Sequence, residues 1–347
     1  MASITRHRAV LGLAVALIAL PAGCGTTSSA TSRNATSNAG RQSRALPVPF
    51  QVVARWSARS LGLAGPAAVA IGPDGNLYVT DSAQHVTVIS PSGKVLRRWG
   101  KPGSGPGEFE LTPGDPTDPM AVNGKIAVSR SGLVYVSDNG NARVQVFTGT
   151  GRFIRQFGGP GTGPGQFLFP FDIAVDPAGG VYVADDKNVG VIQKFSPTGR
   201  FIWRVGGSSS SIRDLAGHLH FFEVDGHGRL VAISDDTGDV MYIDSSGRIV
   251  DSFNATNRVF QNDYVAGSAC EVSTDAVGNT YVTACGPGPT LVYNAAHQLI
   301  AEFNGPHDHL LRSPVFGPRG EAFAIGYDPT GQFGGELLKL RMTLPGA

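Results

Sequence analysis

GGVYVADDKNVGVIQKFSPTGRFIWRVG, residues 179–206, decides how this chain folds. Together with the Asp172-Ile-Ala-Val-Asp176 run before it, the stretch holds four short apolar runs separated by turn residues. The runs are rich in Val, Ile, Tyr and Phe, and Pro-Ala-Gly-Gly and Ser-Pro-Thr-Gly stand between them, the pattern of antiparallel strands joined by tight turns. Closely similar text occupies residues 75–100 and 132–158, and weaker copies begin at Gly228 and Gly278. Self-similarity at a period of about 40–50 residues marks stacked supersecondary units. A four-stranded antiparallel unit repeated in this way is one blade of a propeller. No part of the body carries apolar residues at helical spacing, which excludes a solenoid of helix pairs.

The count comes to six blades. Five are complete, and residues 313–342 supply only three strands of a sixth. The missing strand lies at the other end, where Phe50-Gln-Val-Val-Ala-Arg-Trp56 resembles the fourth-strand segments Val95–Trp99 and Phe153–Phe157. The expected fold is therefore all-β: six four-stranded antiparallel blades over residues 46–347, with the N-terminal strand closing the last blade and removing open sheet edges. Forty-seven Gly and 23 Pro in 347 residues fall at regular turn positions and read as turn chemistry rather than disorder.

Residues 1–24 belong to a different business. Arg6-His7-Arg8 precedes the apolar run Ala9–Leu20, too short to span a bilayer and suited to a secretory signal. The run ends in Leu20-Pro21-Ala22-Gly23-Cys24, which resembles a bacterial lipobox and makes Cys24 the expected lipidated residue; Pro21 departs from the usual aliphatic choice. Residues 25–45 are Ser-, Thr- and Ala-rich without aromatics, and read as a flexible tether. The expected location is extracytoplasmic, on the outer face of a cell membrane, with plain secretion as the alternative.

Five of the 28 basic residues and none of the 27 acidic ones lie in residues 1–45, so the body carries 23 against 27, a net charge of −4. A mildly acidic domain lacks the concentrated basic face that nucleic acid requires. Cys270 and Cys285 flank the turn around Gly278 on neighbouring strands, and outside the cytoplasm either a disulfide or two buried thiols fits them.

GSGPGEF and GTGPGQF before a blade, DPxG-xVYV within it, and DNGNARVQVF after its second strand resemble the NHL repeat. The resemblance covers about residues 50–342, close to consensus in blades two and three and degenerate in blades four to six. It implies a six-bladed propeller, and it implies no single activity: NHL propellers include binding modules, sensor domains and a few lyases.

Candidate site residues follow from the innermost strands and one face of the ring. Aligning the repeats on the turn glycine gives one axial column of Ala70, Ala127, Ala174, Glu223, Ser273 and Val315. The column two residues earlier holds Ala68, Lys125, Asp172, Phe221, Glu271 and Ser313. Charges beside an axis must face water, one another or a ligand. The economical reading of Lys125, Asp172, Glu223 and Glu271 is a paired network in a water-filled channel; the functional one is a small-ligand or cation site. His85, His218, His220, His307 and His309 fall on the loop face where propellers take ligands, and the His-x-His pairs have a spacing compatible with metal ligation. The segment Val79–Val86 resembles a blade motif of the peptidyl-hydroxyglycine lyases, propellers with a histidine-bound metal, which makes His85, His220 and His309 the metal candidates. NHL repeats commonly carry His at that place, however, and no counterpart of the lyases' catalytic Arg and Tyr is identifiable. The repeated Asp81, Asp138, Asp185 and Asp235 are expected to bond loop amides.

No nucleophile elbow or phosphate loop is present. The expectation is a monomeric, membrane-tethered binding or scaffold module for an unidentified protein, peptide, glycan or small ligand, with no catalytic residues and no cofactor. The alternative is a metal-assisted lyase or lactone hydrolase with zinc or calcium in the central channel, using His220 with the channel carboxylates.

Overall fold

The structure, a computed structural model, describes residues 48–111, 124–185, 191–206, 221–234, 237–255, 269–284, 289–303, 314–317, 320–326 and 335–344. They form six sheets of four antiparallel strands each. The innermost strands, in order, are Pro66–Ile71, Ile126–Val128, Pro170–Val175, Phe221–Val224, Ala269–Thr274 and Val315–Phe316, and neighbours among them pack around an axis. The chain is a six-bladed β-propeller.

The last blade takes strands from both termini. Phe50–Ser57 runs antiparallel to Glu336–Met342, with Phe50 opposite Met342 and Ser57 opposite Glu336, and a bulge between Val52 and Ala54. Alternation along Phe50–Ser57 points one face inward and leaves the other to solvent. Phe50 is 1% exposed and packs its ring 4.4 Å from that of Phe303 in blade five. Arg55 Nη1 donates to Glu336 Oε2 at 3.0 Å across the seam.

Repeat motifs become recurring contacts. In blade three the turn carboxylate of Asp176 accepts from the amides of Ala178 (3.0 Å) and Gly180 (2.7 Å), and from the Tyr182 hydroxyl (3.3 Å). Asp275 and Tyr281 repeat the arrangement in blade five at 3.0 Å. In blades three and five the second-strand Tyr is thus a buried aromatic whose one polar atom is satisfied by the turn beside it. Between blades, an aromatic at the end of one fourth strand lies under the last turn of the next blade. Gly151 sits at φ 89 with its backbone against Trp99, where a Cβ would come within 2.7 Å of the indole. Blade five puts His297 at this position instead, at φ 58, and stacks its ring 4.5 Å from Phe253. The contact survives although the repeat is degenerate.

Candidate functional site

Side chains alternate along a strand, so residues two apart on an innermost strand share the axial face. Strand register aligns the blades independently of sequence. Ala70, Ala127, Ala174, Glu223, Ser273 and Val315 lie opposite Tyr78, Tyr135, Tyr182, Val231, Tyr281 and Phe323, equivalent places on six second strands. All six belong to the wall of one axial cavity of about 220 Å³, together with Ala68, Lys125, Asp172, Phe221 and Glu271.

The charges sit where the innermost strands begin. Lys125 Nζ lies 2.5 Å from Glu271 Oε1 and 5.0 Å from the centre of the Phe221 ring, joining blades two, five and four. Both side chains of the ion pair are 10% exposed. Asp172, from blade three, accepts the amides of Ile173 (2.9 Å) and Phe222 (3.0 Å). Burial nevertheless pushes its carboxyl above the usual range; the Lys125 charge and the Phe222 amide oppose that, and the Glu271 charge adds to it.

One step further along the axis Glu223 accepts the Thr274 hydroxyl at 2.5 Å. Burial raises its carboxyl to about 8; the Thr274 bonds pull the other way, and Asp225 and Asp172 add a smaller upward push. An unfolded glutamate titrates near ~4.3. Between that value and 8 the folded protein keeps a proton that the unfolded chain has released, so stability declines as pH rises across the interval. The raised Asp172 acts with the same sign. Denaturant titrations from pH 5 to 9 should show the parent losing stability relative to Glu223→Gln, whose side chain has no proton to lose. Parallel profiles for the two proteins would show that Glu223 is not held protonated.

The cavity continues to the opposite end of the axis. There a funnel of about 410 Å³ opens between the first hairpin turns, bordered by Ser129, Arg130, Asp225 and Asp275 and sharing Glu223 with the cavity. The loop face emphasised by the sequence is therefore one of two ends, and the turn face has an opening of its own.

The repeated loop aspartates are structural. Asp138 accepts from the Glu110 amide (2.8 Å), Arg143 Nε (2.7 Å) and Gln145 Nε2 (2.9 Å), while Asp185 accepts the amides of Leu168 and Phe169. Arg143 then donates to the carbonyls of Ser104, Gly105 and Glu108, so the Arg of the ARVQVF segment clamps the loop that enters its blade. His85 places Nδ1 3.5 Å from Asp81 Oδ1, away from the cavity wall. His218, His220, His307, His309, Asp235, Cys24 and Cys285 lie outside the described residues; Cys270 falls in the strand Ala269–Thr274. Among the described residues no three His, Cys, Asp or Glu side chains come together as a metal site.

Two residues of the site were not singled out by sequence. Thr274 and Ser273 follow Glu271 on the same strand, and the Ser273 hydroxyl, in a residue 3% exposed, makes no hydrogen bond among the described residues. The available signal was Ser273 sharing its axial column with Glu223.

Residues 118–203 match a family model described as a six-bladed beta-propeller. The peptidyl-glycine alpha-amidating monooxygenase of Mus musculus is 38% identical over 136 residues, which cover 35% of this chain and 13% of that protein. The protein brain tumor of Drosophila melanogaster is 26% identical over 183 residues, 53% of this chain and 17% of its own length. The chain thus spans under a fifth of either relative. Among solved structures, virginiamycin B lyase from Staphylococcus aureus superposes with a TM-score of 0.55 at 13% identity, over 85% of this chain and all of that one. A streptogramin B lyase gives 0.55 at 14% identity. Identity at that level shows a shared fold.

Proposed function

We propose that the protein is an exported, membrane-tethered binding module that takes a small ligand, or the tip of a peptide or glycan, in its axial channel. The observation that carries this reading is the asymmetry of the channel wall. Blades one to three contribute Ala70, Ala127 and Ala174 at the level where blades four and five contribute Glu223 and Ser273, so open space faces polar groups. A ring with only structural duties has no need of that: six small or six apolar residues close an axis without the cost of burying charge. The tether rests on the signal-like run Ala9–Leu20 and on Cys24 at its end.

One preparation tests both parts. Full-length protein is extracted from membranes in mild detergent and examined by native mass spectrometry. The expected result is a co-purifying mass of low molecular weight that is absent from Glu223→Gln/Ser273→Ala, and transfer of Cys24→Ser to the soluble fraction. No adduct on the parent, or an adduct indifferent to the channel substitutions, overturns the binding reading.

The metal-assisted lyase or lactone hydrolase has one observation in its favour. Glu223, with its carboxyl near 8, is poised to give or take a proton around neutrality inside a cavity. Stoichiometric zinc or calcium in the same preparation, lost in Glu223→Gln or in a His220 substitution, would move the assignment to that class.

A further inference from the structure

The described cavity wall holds one cation, Lys125, against three carboxylates, Asp172, Glu223 and Glu271. Lys125 is committed to Glu271 at 2.5 Å. Neither Asp172 nor Glu223 has a basic side chain within ion-pair distance among the described residues; their partners are backbone amides and the Thr274 hydroxyl. Buried carboxylates without counter-charge are costly, and proteins relieve that cost by protonation or by a bound cation. A second observation points the same way. Ser273, on the wall beside them, presents a buried hydroxyl that no described group engages. The three alanines opposite leave the space. At ~30 Å³ per water the 220 Å³ cavity corresponds to about seven waters, room for a molecule of a few carbons and not for a folded partner.

Resting on the reading of the channel as a binding site, we propose that its ligand is a small organic cation. A primary amine or guanidine would sit with its charge between Asp172 and Glu223 and donate a hydrogen bond to Ser273 Oγ. An anion would meet a wall on which acidic groups outnumber the one described lysine. A neutral polar molecule would leave the charge imbalance as it was.

Proton linkage gives the inference a second handle. The charged groups around Glu223 are Asp172 from blade three, Glu271 from blade five and Lys125 from blade two on the cavity wall, and Asp225, Asp275 and Arg130 on the funnel it shares, with the Thr274 hydroxyl bonded to it. An ammonium beside Glu223 favours its ionised form, so uptake of the cation releases the Glu223 proton to solvent. Affinity therefore weakens as pH falls below 8, by up to about tenfold per unit.

Titration calorimetry on the full-length protein decides, with three probes of matched length: butane-1,4-diamine, butane-1,4-diol and succinate. The diamine alone is expected to bind, more tightly at pH 8 than at pH 6, and with proton release when two buffers of different ionisation heat are compared. Glu223→Gln should weaken it about tenfold or more and Ser273→Ala by a smaller factor, together about the value of one charged and one neutral hydrogen bond. Ser273→Ala and the pH series carry the test if Glu223→Gln proves unstable. Binding of the diol or succinate as tight as that of the diamine overturns the cationic class and leaves the channel a binding site. Diamine binding indifferent to both substitutions overturns the placement. Silence from all three probes also overturns the inference, and the co-purifying adduct then decides the broader reading by itself.

Discussion

A chain lacking residues 48–57 is expected to lose its cooperative thermal transition and to associate in solution. The deleted strand is the outer strand of the last blade, and its removal leaves Glu336–Met342 as an unpaired edge, open to pairing with another copy. It also strips the apolar cover from Phe303, whose ring packs against that of Phe50. A point substitution isolates the packing part. Phe50→Ala removes an aromatic side chain that is 1% exposed, and such changes cost about 3–5 kcal/mol. For a domain of this size that lowers Tm by on the order of 10 °C. Circular dichroism melts with size-exclusion chromatography check both. A deletion variant that stays monomeric and melts with the parent would mean that the ring closes without its N-terminal strand.

The second large effect belongs to the axial ion pair, and it is asymmetric. Lys125→Met leaves Asp172, Glu223 and Glu271 facing a cavity with no described cation, and breaking a buried pair in this way costs about 3–5 kcal/mol. Glu271→Gln leaves Lys125 with Asp172 still nearby, so the loss should be smaller, about 1–3 kcal/mol. The double variant should be more stable than the sum of the two losses implies, because it removes both charges together. Urea titrations of the four proteins give the coupling directly. Strict additivity would show that Lys125 and Glu271 do not depend on each other as their 2.5 Å contact implies, and a costlier Glu271→Gln would overturn the predicted asymmetry.

Much of the architecture was legible before any coordinates. The turn glycines, the VYV runs and the fourth-strand likeness of residues 50–56 led to six blades and to the closure at Met342, and strand register reproduces the axial column from Ala70 to Val315, while Ser313 of the second column lies outside the described residues. The Asp of each post-strand loop read as an amide acceptor, and Asp138 and Asp185 act as one. Less visible was the partner of each charge. Lys125 and Glu271 are separated by 146 positions, and their pairing depends on which blades face across the axis. The role of the repeat's Arg, clamping three loop carbonyls in the case of Arg143, likewise appears only once the loop is folded over it.

Local spacing alone determined the blades, their number and the residues that line the axis, because period-two alternation and turn chemistry act over neighbouring residues and repeat with the chain. Tertiary structure decided the rest: which carboxylate finds the lysine, how far burial lifts Glu223, and that Ser273 is left facing a cavity. Those properties belong to distances across a ring, between residues drawn together by curvature from blades two to five, and desolvation has no value until the ring has closed.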